Sequence, residues 1–80
     1  MGSALKPGHL VRFNEDYGEG TLLYNVPGGV GTNVLAIGRL RAHDVAVVIA
    51  VGRSDGSQVY VLGPRGGGWT EGALLRILQQ

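Results

Sequence analysis

Two histidines, three serines and a short run of carboxylates are the side chains of this chain best suited to move protons, attack a carbonyl or hold a metal. General-base catalysis needs a histidine within hydrogen-bond reach of its nucleophile and a third group to orient it. His43 and Asp44 are chain neighbours at a turn rather than an oriented pair, and His9 follows the turn signal Lys6-Pro7-Gly8. Ser3 lies near a terminus, Ser54 and Ser57 flank an Asp-Gly pair, and there is neither a cysteine nor a Gly-x-Ser-x-Gly elbow. The carboxylates Glu15, Asp16 and Glu19 do not have the spacing of a calcium loop. No catalytic residue, metal ligand or cofactor site is expected, and the chain reads as a non-enzyme.

The glycine runs Gly28-Gly29-Val30-Gly31-Thr32-Asn33 and Gly63-Pro64-Arg65-Gly66-Gly67-Gly68 could in principle cradle phosphate. Neither follows a strand and opens a helix, as the dinucleotide and phosphate-loop motifs require for their amide cradle and dipole. Both read as turns. The second is expected to be a flexible loop with Arg65 at its tip as a partner contact, because arginine is enriched at interfaces.

What remains is binding chemistry. The aromatic residues are few: Phe13, Tyr17, Tyr24, Tyr60 and Trp69. Tyr60 lies on the face opposite Val59 and Val61 and is expected outside the core. The carboxylates of Glu15, Asp16 and Glu19 suit a guanidinium of a ligand, and they also suit a solvated loop.

Strands must position these groups. In Val45-Ala46-Val47-Val48-Ile49-Ala50-Val51 the β-branched residues Val45, Val47, Ile49 and Val51 alternate, which predicts a strand with that set in the core. The other face, Ala46, Val48 and Ala50, is apolar too, and a small domain can cover only one face by itself. Together with Tyr60 and Leu62 on the next strand, it offers several hundred Å² of apolar surface. At ~25 cal/mol per Å² its burial rivals the ~5 kcal/mol net stability of so small a domain.

Further strands are expected at His9–Phe13, with Val11 and Phe13 inward, at Thr21–Val26, at Val34–Leu40 and at Gln58–Leu62, the last joined to the long apolar strand by an Asp55-Gly56 hairpin. Arg41-Ala42-His43-Asp44 is read as a turn, and Leu74-Leu75-Arg76-Ile77 closes the chain after a short turn at Glu71-Gly72-Ala73. No stretch has the helical period and length of a stable helix. The chain is therefore all-β, with an extension at 1–7 and one domain over 8–80.

Pro7-Gly8-His9-Leu10-Val11-Arg12, the central hairpin, and Gly68-Trp69-Thr70 followed by Leu74-Leu75-Arg76-Ile77 resemble SH3-like barrels, especially bacterial SH3-type domains. Leu23-Tyr24-Asn25-Val26-Pro27-Gly28 is similar to the Leu-Asn-Val-Arg-x-Gly-Pro element of that family, although Thr70 and Pro27-Gly28-Gly29 depart from its pattern. The resemblance implies a small closed barrel of five to six short strands, in which Trp69 plugs one end or else joins Tyr17 and Tyr24 in a groove that grips an extended peptide, with the Glu15, Asp16 and Glu19 loop facing an arginine of that ligand. Ser57-Gln58-Val59-Tyr60 is loosely similar to the Val-Gln-Ile-Tyr segment of plasmid-type dihydrofolate reductases, but the glycine stretch and Trp69 intervene and their pore is not reproduced.

Eighty residues without a cysteine must rely on packing, a ligand or a neighbouring subunit. Hydrophobic residues are 44 % and charged residues 16 % of the chain, so much of its surface is uncharged. A formal charge of +1 argues against a phosphate-neutralising nucleic-acid module, even one using Arg39, Arg41, Arg53 and Arg65. No stretch reaches the ~20 apolar residues of a membrane span. These features predict a non-catalytic protein-interaction or structural subunit that packs against copies of itself or a larger complex. Its partner-binding residues would be Tyr17, Tyr24, Ala46, Val48, Ala50, Tyr60, Arg65 and Trp69. The expected setting is cytoplasmic, or a virion by analogy with decoration and head-tail joining modules.

Overall fold

The computed structural model describes residues 5–27, 33–52 and 57–79. Seven strands form one antiparallel sheet: β1 (Leu10–Phe13), β2 (Gly20–Tyr24), β3 (Ala36–Arg41), β4 (Val45–Gly52), β5 (Gln58–Gly63), β6 (Gly66–Glu71) and β7 (Leu75–Gln79). Short 3₁₀ turns at Glu15–Tyr17 and Gly72–Leu74 lead into β2 and β7. The spatial order is β3-β2-β6-β5-β4-β1-β7, which leaves β3 and β7 as edges.

The all-β content agrees with the sequence, but the closed SH3-like barrel of five to six strands does not. No ladder joins β3 to β7 among the described residues, so the sheet stays open. The far side of β3 comes up against the turn between β5 and β6 instead, where the Arg39 amide reaches the Arg65 carbonyl at a long 3.4 Å. The analogy with small closed virion modules falls with the barrel.

The extra strand comes from the glycines. Gly66-Gly67-Gly68 opens β6, which pairs with β5 from Gly63↔Gly66 to Gln58↔Glu71. Glycine is a poor strand former, which is why the segment reads as a loop, but it permits backbones to approach closely. A Cβ on Gly68 would stand 2.7 Å from Leu23 Cβ, and one on Gly38 would stand 3.0 Å from the Gly67 carbonyl oxygen. The β2–β3 hairpin can therefore bring Leu23 and Leu40 onto the apolar side of the sheet, where Leu40 Cδ1 and Ala46 Cβ both approach Gly63. Only Pro64 and Arg65 remain as the turn.

The core consists of Val11, Phe13, Leu23, Leu40, Ala46, Val48, Val59 and Val61, flanked by Leu5, Ala42, Val51, Leu74, Leu75 and Ile77. Val11 and Phe13 face inward as the alternation predicts, and so do Val59 and Val61. In β4 the expected faces are reversed over the first half. Ala46 and Val48 are buried, whereas Val45 and Ile49 are 48 % and 49 % exposed.

Register explains the reversal. Val11 stands opposite Ala46 and Val61 opposite Val48, and cross-strand partners share a face. A bulge between Val48 and Ala50 then inserts Ile49 as an extra residue, after which Val51 pairs with Val59 and packs on the core as predicted. An unbulged hairpin closing at Gly52↔Gln58 would have put Ile49 opposite Val61. The pairing of Gly52 with Gln58 agrees with the predicted hairpin, although Asp55-Gly56 lies outside the described residues.

Candidate functional site

The outer face of β1, β4 and β5 carries the exposed chemistry. Leu10 lies opposite Val47 and Val47 opposite Leu62, so three aliphatic side chains form one cross-strand row. Leu62 is 50 % exposed, and Val45 and Ile49 extend the patch on the same strand as Val47. A second row on this face runs Ala50, Tyr60, Trp69 and Tyr24 across β4, β5, β6 and β2. The Tyr60 and Trp69 rings meet edge to face, with centroids 5.6 Å apart and planes at 86°. Trp69 also lies over Gly52, where an added Cβ would come within 2.8 Å of its Cζ3. The indole is half-buried on the outer face rather than plugging a barrel end.

Of the residues predicted to bind a partner, the structure brings Ala50, Tyr60, Trp69 and Tyr24 together in that row. Tyr17 is exposed on its 3₁₀ turn and makes no ring contact among the described residues. Ala46 and Val48 are removed from the surface by the register described above. Their places are taken by Val45, Val47 and Ile49, which the alternation had assigned to the core; only the bulge distinguishes the two phases, and both faces of the strand are apolar.

Arg65 is held rather than free. Its Nε donates to Asp44 Oδ2 at 3.0 Å, and the Arg41 amide donates to the same oxygen at 3.0 Å. The Asp44 amide in turn donates to the Arg41 carbonyl, closing the predicted turn. The Arg41 amide, reinforced by the Arg65 guanidinium, holds the Asp44 carboxyl below its usual pKa, against a smaller opposing effect of burial. His43 takes no part in this pair, and His9 Nδ1 accepts from the Lys6 amide at 3.1 Å, so it caps its own turn.

Two open clefts flank the β2–β3 hairpin. One, of about 550 Å³, lies along Glu19, Gly20, Leu22, Arg39 and Arg41. The other, of about 440 Å³, is bounded by Tyr24, Val26, Val34, Thr70, Glu71 and Leu74. Thr21 lines both, and neither lining includes a serine or histidine among the described residues. No group of three or more histidine and carboxylate side chains is placed to hold a metal among the described residues, nor is any helix there long and apolar enough to cross a membrane.

No family model, no curated protein and no solved structure matches the chain.

Proposed function

We propose that this chain is a non-catalytic structural subunit that associates with further copies of itself through the outer face of β1, β4 and β5. The observation that carries the reading is the row Leu10, Val47 and Leu62 with exposed Val45 and Ile49 beside it. Contiguous aliphatic side chains left in water on one sheet face mark association surfaces, whereas isolated ones do not. The face carries no carboxylate on β1, β4 or β5, so covering it desolvates few charges. The two longer extents of the molecule, 34 and 27 Å, are broad enough for the ~800 Å² per partner that stable interfaces bury.

The test is the mass of the purified protein by size-exclusion chromatography with light scattering at micromolar concentration. An oligomer is expected, together with conversion of Leu62→Lys to a folded monomer, since a half-exposed position tolerates the charge while an interface does not. A wild-type protein that remains a monodisperse monomer overturns the proposal.

A further inference from the structure

Arg12 on β1 stands directly opposite Arg76 on β7. Like charges facing each other across a ladder repel, and a folded chain normally separates them or supplies a carboxylate between them. Here neither guanidinium has an ion-pair partner among the described residues, where the Arg65–Asp44 pair is the one salt bridge. The row continues from Arg12 to exposed Val45, and exposed Leu78 lies on the same edge strand as Arg76, so the paired cations border the apolar patch.

The complementary charge follows β1 directly, past Asn14, whose amide donates to the Leu74 carbonyl. Glu15, Asp16 and Glu19 are all exposed and make no ion pair among the described residues. Their turn is built rather than loose. Asn14 Oδ1 accepts from the Asp16 amide at 3.0 Å, the Tyr17 amide donates to the Asn14 carbonyl, and the Gly18 amide donates to that of Glu15. The result is a short knob that presents Tyr17, 60 % exposed, among three carboxylates. A preformed knob loses little entropy on docking, and tyrosine is a favoured anchor in such contacts.

We infer that Arg12 and Arg76 receive the Glu15–Glu19 knob of a second copy, with Tyr17 set beside the aliphatic patch. Two adjacent guanidiniums suit the carboxylates of the knob, and each copy carries both surfaces, so the contact can be made reciprocally. The inference rests on the self-association proposed above and names the charged groups that orient it.

Sedimentation velocity on two charge-reversed chains tests it. In one, Arg12→Glu is combined with Arg76→Glu; in the other, Glu15→Lys, Asp16→Lys and Glu19→Lys are combined. Each alone is expected to dissociate at least about tenfold more readily than wild type, and an equimolar mixture to reassociate, because both contacts are then attractive again. A control carrying Lys6→Glu and Arg39→Glu has the same net charge as the first chain and must not rescue the second.

If wild type is oligomeric but both reversed chains associate as it does, or the control rescues equally well, this inference is overturned while the apolar-face reading stands. A wild-type monomer removes both. Should circular dichroism show a reversed chain unfolded, Arg76→Gln and a rise in ionic strength take its place. Each is expected to weaken the oligomer, and indifference to both overturns the inference.

Discussion

Asp44 and Arg65 join the two turns that flank the β3 edge: one carboxylate oxygen accepts both the Arg41 amide and the Arg65 Nε, each at 3.0 Å. The pair thus ties the β3–β4 corner to the β5–β6 corner, next to the place where the Arg39 amide meets the Arg65 carbonyl. The Asp44 side chain is 11 % exposed and that of Arg65 46 %, so water partly screens the ion pair.

A pH dependence follows from the lowered pKa of Asp44. The unfolded chain binds a proton at this carboxyl more readily than the folded one, so its contribution to stability is present above the ordinary carboxylate pKa. It is lost as the pH falls through that value toward the lower folded one. Urea unfolding followed from neutral to acidic pH should show the decline in wild type and a shallower one in Asp44→Asn. Because the Arg41 amide is the larger cause, Arg65→Gln should remove the smaller part of the dependence. Equal slopes in wild type and Asp44→Asn would mean that another carboxylate controls acid stability.

The phase of β4 can be read by placing one charge on each side of the bulge. Val48→Lys puts an ammonium group opposite buried Val61, and against a domain stability of ~5 kcal/mol the cost of burying an unpaired charge is enough to unfold the chain. Ile49→Lys projects outward from the bulge and should leave the circular dichroism spectrum unchanged. The opposite pattern would contradict the register.

Where alternation is clean, the sequence is sufficient. Arg12 between Val11 and Phe13, and Tyr60 between Val59 and Val61, fix the inward faces of β1 and β5 without knowledge of their neighbours. β4 offers no polar residue to mark the water side, so its phase is decided by Val11 and Val61 on the adjoining strands and shifted by a bulge with no local signature. β6 is hidden for a different reason. Gly66 and Gly68 admit the close passage of the β2–β3 hairpin and Gly67 that of the Tyr60 ring, a tertiary requirement that opposes their own propensity. The Arg12–Arg76 pair depends on a ladder between the first and last strands, and neither segment announces the other.

The same glycines separate close approach from mere convenience. An added Cβ at Gly68 would meet Leu23 Cβ at 2.7 Å and its carbonyl carbon at 2.9 Å, and backbone cannot swing aside. Gly68→Ala should cost about 1–3 kcal/mol by thermal or urea unfolding, the range for overpacking a filled core. At Gly63 the nearest atoms are Ala46 Cβ at 3.4 Å and Leu40 Cδ1 at 3.5 Å, which is ordinary contact. Gly63→Ala should therefore be neutral or stabilise by about 0.4–1 kcal/mol through the unfolded chain. A comparable loss at both sites would show that strand flexibility, rather than hairpin contact, accounts for the glycines.

Trp69 is the chain's one tryptophan, so its emission reports on the aromatic row directly. Its edge-to-face contact with Tyr60 should give a coupling of about 0.5–1.5 kcal/mol in a double-mutant cycle of Tyr60→Leu and Trp69→Leu. Gly52→Ala supplies an independent check, because the new methyl group would stand 2.8 Å from Trp69 Cζ3 and 3.2 Å from Cη2. The indole is a side chain and can give way, so the fold should persist while the ring tilts away from Tyr60 into water. The expected signature is a red-shifted emission with the Tyr60–Trp69 coupling reduced toward zero. An unshifted emission with the coupling intact would place the indole away from Gly52, and the outer row would then have to be redrawn.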